Sequence, residues 1–102
     1  MQVTIDDQGT TARVVLTGRL DIAGADVIAL PLATVSGAKD AVVIDMGGVT
    51  FIASIGLRHL VSAAKALARR GGSLKLVNAN PVVVEVISSA GLAQMLPIES
   101  RA

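Results

Sequence analysis

Residues 51–60, FIASIGLRHL, contain a junction between a strand-like run and a helix-like pattern. The apolar run ends at Ala53, shortly before Ser54 and Gly56. Beyond it, apolar residues recur every three or four positions, at Leu57, Leu60, Val61, Ala64, Leu67 and Ala68. Polar residues fall on the opposite face, at Arg58, Ser62, Lys65 and Arg69. This spacing predicts an amphipathic helix that begins close to Ser54 and packs its apolar face against a core.

The segments on either side of this junction continue an alternation of strands and helices. Upstream, AVVID at residues 41–45 is an apolar run closed by an acid, which is typical of a fully buried strand. Residues 46–51 are then predicted to form a loop. Downstream, Gly71 and Gly72 predict the end of the helix, and SLKLV at residues 73–77 predicts the next strand.

The segment NANPVVVEVISSAGL, at residues 78–92, is ambiguous because its valines favour a strand. However, Asn80 is suited to an N-cap, Pro81 to the first helical position and Gly91 to a C-cap. We therefore predict a helix here, followed by a short edge strand at residues 95–98.

The first part of the chain predicts a hairpin and then a helix. Residues 3–5 and 11–18 resemble strands, and turn-forming residues separate them. Residues 27–35 have helical spacing with Pro31 in the middle. Because proline fits poorly inside a straight helix, we expect a kink at Pro31 or a helix that begins there.

Together these elements predict an α/β fold with a mixed sheet of four or five strands and helices packed mainly on one face. The chain of 102 residues fits a single domain, residues 1–102. A hydrophobic content of 52% with 17% charged residues is enough for a packed core.

Composition and charge exclude several function classes. With no cysteine and no metal-ligand motif, we expect neither a metal nor a cofactor. A net charge of +1 and a single aromatic residue, Phe51, argue against a nucleic-acid partner. No apolar run approaches the ~18 residues of a membrane-spanning helix, and no secretory signal is visible. We therefore expect no membrane insertion and a cytoplasmic location.

The residues needed for enzymatic catalysis are not combined in any known motif. His59 lies five residues after Ser54, which on a helix is the wrong offset for a serine–histidine hydrogen bond. We expect His59 to be an exposed surface residue. Neither a nucleophile elbow nor a phosphate-binding loop is present in the sequence. The chain is therefore predicted not to be an enzyme.

Two hypotheses remain for Ser54. It caps the helix, or it is a phosphorylation point that faces a partner protein. The free N–H groups and the positive dipole at a helix start accommodate a phosphate, so both hypotheses fit the position.

Three blocks of sequence, in this order, resemble the STAS family, which is named for sulfate transporters and anti-sigma factor antagonists. LTGRLDIAGAD at residues 16–26 is similar to the family stretch L-x-G-x-L-D. VVIDMGGVTFIASIGL at residues 42–57 resembles its strand and the loop F-[IM]-D-S-[ST]-G-L. GGSLKLVNANPVVVEVISSAGLAQMLPI at residues 71–98 resembles its C-terminal part.

The resemblance implies a regulatory protein-binding module. In the family's antagonists, a kinase that is also the anti-sigma factor phosphorylates a serine in this loop, and a phosphatase acts in the same system. By position, Ser54 is the phosphoacceptor. The implied partner-binding residues are Asp21, Ile22, Ser54, Ile55, Gly56, Leu57 and Arg58. Ala53 stands where the family usually has aspartate, and Ile55 where it usually has serine or threonine.

These observations lead us to expect an anti-sigma factor antagonist that captures a serine-kinase anti-sigma factor when Ser54 is unphosphorylated. Two alternatives stay open. One is a small STAS subunit that binds an ABC ATPase in a membrane lipid-transport complex. The other is a STAS module that binds its partner constitutively.

Overall fold

The computed structural model describes residues 1–99, which form five strands and three helices. The strands are β1 (Gln2–Gln8), β2 (Thr11–Leu20), β3 (Ala41–Ile52), β4 (Ser73–Val77) and β5 (Ile98–Glu99). The helices are α1 (Ile22–Ala38), α2 (Ser54–Arg69) and α3 (Pro81–Ser89). The sheet order is β1-β2-β3-β4-β5; β1 is antiparallel to β2, and the other neighbours are parallel. The predicted α/β class, mixed sheet and opening hairpin are confirmed.

The helices cover one face of the sheet, as predicted. Because β2 to β5 are added in one direction, right-handed crossovers place α1, α2 and α3 on the same side. The strand residues on that side are buried: Ala12, Val14, Leu16, Val42, Ile44, Met46, Leu74 and Leu76. The opposite face is open and carries two ion pairs, Arg13–Asp45 at 2.7 Å and Lys75–Glu99 at 2.6 Å.

The predicted loop at residues 46–51 is wrong, because β3 continues to Ile52. Met46, Val49 and Ile52 all point into the core, and two register shifts against β2 bring them there. Gly48 lies at the first shift, where an added Cβ would be 2.9 Å from the Thr17 hydroxyl oxygen. The glycines that suggested a loop therefore belong to a bulged strand.

A helix that begins at Pro31 is also wrong, because α1 starts nine residues earlier and includes Pro31. Proline removes one backbone hydrogen bond from the helix interior. That loss is offset by the burial of Ile28, Leu32 and Val35 on the face toward the sheet. A kink at Pro31 stays a prediction.

The boundaries at the end of α2 and the start of α3 agree with the sequence. Gly71, with φ of 77°, follows α2, and the N–H of Gly72 bonds to the Leu67 carbonyl at 2.7 Å. Asn80 caps α3 by accepting a hydrogen bond from the Val83 N–H at 2.9 Å. A short edge strand is present and pairs with β4, but it lies at Ile98–Glu99 and not at residues 95–98.

Candidate functional site

The starts of α1 and α2 lie side by side at one edge of the sheet. Each helix follows the carboxyl end of a strand, β2 or β3, and these two strands are parallel neighbours. The Ala53 N–H donates a hydrogen bond to the Leu20 carbonyl at 2.9 Å. The residue before Ser54 is thus bonded to the residue before Asp21. The structure brings together the two turns that the sequence motifs singled out.

Asp21 has a structural role that the sequence analysis did not recognise. It is the N-cap of α1, and its Oδ1 accepts a hydrogen bond from the Gly24 N–H at 2.9 Å. This bond lowers the pKa of the Asp21 carboxyl. Its other carboxylate oxygen lies 3.7 Å from the Arg19 Nε. The pattern of an acid three residues before a glycine N–H was available in the sequence as a capping motif.

Ser54 is exposed and is the first residue of α2. The N-cap is Ala53, and no side-chain hydrogen bond caps this helix. The hypothesis that Ser54 caps the helix is therefore wrong. The first intrahelical bond runs from the Leu57 N–H to the Ala53 carbonyl, at 3.1 Å. The N–H groups of the first turn before Leu57 thus have no acceptor within the helix, and they favour negative charge nearby.

The other predicted partner-binding residues divide into outward-facing and inward-facing ones. Ile22 is 73% exposed, Arg58 is exposed and Ile55 is half-buried. Gly56 and Leu57 are buried. The assignment of Gly56 and Leu57 to the partner-binding surface is therefore corrected, because their side of α2 packs against the sheet.

Two glycines allow the helix starts to approach β2 closely. A Cβ on Gly56 would lie 2.5 Å from Leu20 Cγ and 3.1 Å from the Leu20 carbonyl oxygen. A Cβ on Gly24 would collide with the Arg19 carbonyl oxygen. Both positions require glycine because neighbouring atoms of β2 leave no room for a Cβ, and not because of a positive φ. These contacts fix the distance between Ser54 and the start of α1.

Exposed apolar side chains adjoin the two turns, and sequence reasoning missed part of this set. Phe51, the last residue but one of β3, is 39% exposed, and the Arg19 guanidinium lies 4.3 Å from the centre of its ring. Val82, at the start of α3, is 63% exposed. Ile22, Phe51 and Val82 are thus exposed apolar side chains at strand ends or helix starts, and such side chains are common in protein interfaces.

The position of His59 differs from the one expected from the sequence. His59 is half-buried on the side of α2 that faces α1, so the prediction of an exposed histidine is corrected. Within residues 1–99, no group of three or more acidic, histidine or cysteine side chains could hold a metal ion. None of the helices described is long and apolar enough to cross a membrane.

Comparison with known proteins agrees with the motifs. The family model described as "Mlab, STAS domain" matches residues 3–97. BtrV of Bordetella bronchiseptica, a proposed anti-sigma factor antagonist, is 31% identical over 99 residues, which cover 96% of this chain and 85% of BtrV.

Solved structures share the fold. An anti-sigma factor antagonist from Mycobacterium paratuberculosis superposes with a TM-score of 0.82 at 26% identity, covering 95% of this chain and 83% of that one. Unphosphorylated SpoIIAA, an anti-sigma factor antagonist, gives a TM-score of 0.84 at 20% identity, covering 99% and 89%. The phosphorylated form of SpoIIAA, from Bacillus, gives 0.78 at 19% identity, covering 99% and 92%. With the family model matching nearly the whole chain, this protein belongs to the STAS domain family and is of the anti-sigma factor antagonist type.

Proposed function

We propose that the chain is a regulatory binding module that captures a kinase-type anti-sigma factor, and that phosphorylation of Ser54 releases this partner. The binding surface is the edge formed by Asp21, Ile22, Ser54, Ile55 and Arg58. STAS domains of the antagonist type are binding modules and not typical enzymes, and their name implies anti-sigma factors as protein partners. A phosphatase that restores Ser54 completes the proposed cycle.

One observation carries this proposal: Ser54 is exposed at the first position of α2, beside the turn that starts α1. A kinase needs an accessible hydroxyl, and the hydroxyl here makes no capping bond that would have to break. The same fold accommodates both the unphosphorylated and the phosphorylated form of SpoIIAA, which supports a switch without unfolding.

A phosphate at Ser54 would change the charge of the surface far more than its shape. It adds about −1.5 to −2 charges, next to the free N–H groups of the first turn of α2. Arg58 lies four residues later and is exposed on the same side of the helix. The phosphate would therefore be stabilised within this chain, while a docked partner would lose apolar contact with Ile22 and face a new anion.

The test is phosphorylation by the candidate partner, followed by binding. The purified chain is incubated with ATP and each serine-kinase anti-sigma factor of the native cell, and the phosphate is located by mass spectrometry. We expect Ser54→Ala to abolish incorporation. Ser62→Ala is the matched control, because Ser62 is also exposed on α2 and should leave incorporation unchanged. Phosphate on another residue, or on none, would contradict the proposal.

Binding is then measured by calorimetry for the wild type, Ser54→Ala and Ser54→Asp. Release should appear as at least a tenfold weaker affinity for Ser54→Asp, which corresponds to about 1.4 kcal/mol. Equal affinity for all three proteins would favour the second candidate, a STAS module that binds its partner constitutively. One such module is a small STAS subunit that binds an ABC ATPase. Ala53 and the half-buried Ile55 favour that candidate, because the loop lacks the carboxylate and the second hydroxyl usual beside the acceptor.

A further inference from the structure

Helix α1 exposes apolar side chains on the face that points away from the sheet, which is unusual for a surface helix. Leu30 is 77% exposed and Val27 46%, and Ile22 lies at the start of the same helix. Asp26 is the only charged residue among the 17 residues of α1. Surface helices usually carry charged side chains on this face, so α1 presents an apolar surface without a partner among residues 1–99.

The neighbouring helix α2 has the opposite character. Its outer face carries Arg58, Lys65 and Arg69, which are exposed and fall on one side of the helix. No acidic residue occurs in α2, and the ion pairs among residues 1–99 include none of these three cations. They span 11 positions, about 16 Å along the helix axis.

A groove of about 280 Å³ runs between the two helices. Leu32 and His59 contribute to its lining, but most of the lining residues are small, which lets another backbone approach closely. The small ones include Ala29, Ala33 and Gly37 from α1 and Ser62 and Ala66 from α2. Leu30 on α1 and the three cations on α2 lie on the outer faces of the two helices, on either side of this groove. Asp26 is the one acidic side chain on the α1 side.

We propose that this α1–α2 groove binds an amphipathic helix with an acidic face, supplied by a protein partner. The apolar side chains of that helix would contact Leu30 and the groove, and its carboxylates would face Arg58, Lys65 and Arg69. A helix of three turns or more matches the length of the cationic row. The inference goes beyond the proposed switch, because it concerns the flanks of the helices and does not require phosphorylation of Ser54.

Charge and shape favour this occupant over two others. A second copy of this chain would bring the same uncompensated cations to a two-fold interface, where at least some of them would repel. An anionic lipid surface would satisfy the cations, but a flat bilayer cannot fill a recess between two helices. A helix with one acidic and one apolar face would both pair with the cations of α2 and fill the recess between the two helices.

The experiment uses a fluorescein-labelled synthetic peptide of about 14 residues, with leucines every three or four positions and glutamates elsewhere. Anisotropy of the full chain with this peptide should give a dissociation constant on the order of 10 µM. The same peptide with lysine in place of glutamate should bind at least about tenfold more weakly. Two-dimensional NMR should place the perturbed amides on α1 and α2.

Variants of the chain then locate the contact. Lys65→Glu and Leu30→Ser should each weaken peptide binding about fivefold or more. Lys75→Glu is the matched control, because it makes the same charge change on the open face of the sheet and should alter binding less than about twofold. Circular dichroism confirms that each variant is folded.

Four results would overturn the inference. They are absence of peptide binding, equal binding of the acidic and basic peptides, equal loss in Lys65→Glu and Lys75→Glu, and binding to phosphatidylglycerol vesicles in preference to the peptide. Self-association in sedimentation experiments that Leu30→Ser abolishes would instead assign the groove to a second copy.

Discussion

The carbonyl oxygen of Leu20 accepts a hydrogen bond from the N–H of Ala53 at 2.9 Å, and this bond joins the two turns of the candidate site. One residue further along each chain segment are Asp21, the cap of α1, and Ser54, the first residue of α2. The start of α1 and Ser54 are therefore linked by this hydrogen bond and by the close packing of Gly56 on Leu20. The following predictions test this arrangement.

Replacing Ser54 should affect binding and leave the fold almost unchanged. Because Ser54 forms no cap, Ser54→Ala should change the free energy of unfolding by less than about 0.5 kcal/mol. Ser54→Asp places a carboxylate at the positive end of α2 and should stabilise the chain by about 0.3–1 kcal/mol. Urea denaturation measures both. A loss above about 1 kcal/mol in Ser54→Ala would mean that the hydroxyl has a structural partner.

Two substitutions of Asp21 should separate its structural role as a helix cap from the effect of its charge. Asp21→Asn keeps an oxygen that can accept from the Gly24 N–H, whereas Asp21→Ala removes it. We expect Asp21→Ala to lower the midpoint of thermal unfolding by roughly 4–8 °C, and Asp21→Asn to lower it much less. If partner capture depends on the Asp21 charge, Asp21→Asn should weaken it without unfolding the chain. Equal capture by wild type and Asp21→Asn would confine Asp21 to its capping role.

Gly56→Ala should destabilise the chain although alanine favours helices. The added methyl group would lie 2.5 Å from Leu20 Cγ and 3.1 Å from the Leu20 carbonyl oxygen, so α2 must move away from β2. We expect a loss of about 1–3 kcal/mol in the free energy of unfolding. Gly37→Ala, in open space on α1, is the matched control and should stabilise by about 0.5–1 kcal/mol. Similar values for the two variants would show that the close approach at Gly56 is not needed.

Stability should fall under acid conditions. At Asp45, partial burial raises the pKa of the carboxyl, but hydrogen bonds from the Gly47 N–H and Arg13 outweigh this and lower it. A lowered pKa in the folded state contributes stability that is present above the unfolded value, about 3.9, and is lost as pH falls through the folded one. The free energy of unfolding should thus decline below about pH 4.

The matched variant for this effect is Asp45→Asn, which cannot lose a charge at this position. Its difference in stability between about pH 6 and pH 3 should be smaller than that of the wild type. Chemical denaturation at both pH values measures the difference. Identical pH dependence in the two proteins would assign acid sensitivity to other carboxylates, such as Asp7, whose pKa the hydrogen bond from Lys39 lowers.

Local patterns in the sequence were sufficient for the boundaries of α2 and β4 and for the start of α3. The start of α3 follows from Asn80 and Pro81, and the end of α2 from Gly71, because capping and left-handed glycine are properties of a few adjacent residues. The errors occurred where distant packing overrides local preference. Pro31 lies within α1 because burial on the sheet outweighs a lost hydrogen bond, and β3 continues through its glycines because β2 supplies a partner strand.

The candidate site, too, could be predicted from the sequence only in part. The motifs placed Ser54 at a helix start and put Asp21 near it. They did not show which residues of α2 face inward, since Gly56 and Leu57 share the motif with exposed neighbours. The groove between α1 and α2 could not be predicted, because its walls come from segments about 30 residues apart whose packing only the fold defines.

The sheet order also has a consequence for how the chain acquires its structure. Every strand pairs with the strand immediately before it in the sequence, so no strand must be inserted between two that are already in place. During synthesis at about 5–20 residues per second, β1 and β2 can pair first and each later strand can join the growing edge. The exposed edge moves along with the nascent chain, from β2 to β3 and then to β4, until the two-residue β5 covers part of it. The strands therefore leave the ribosome in the same order in which they add to the sheet.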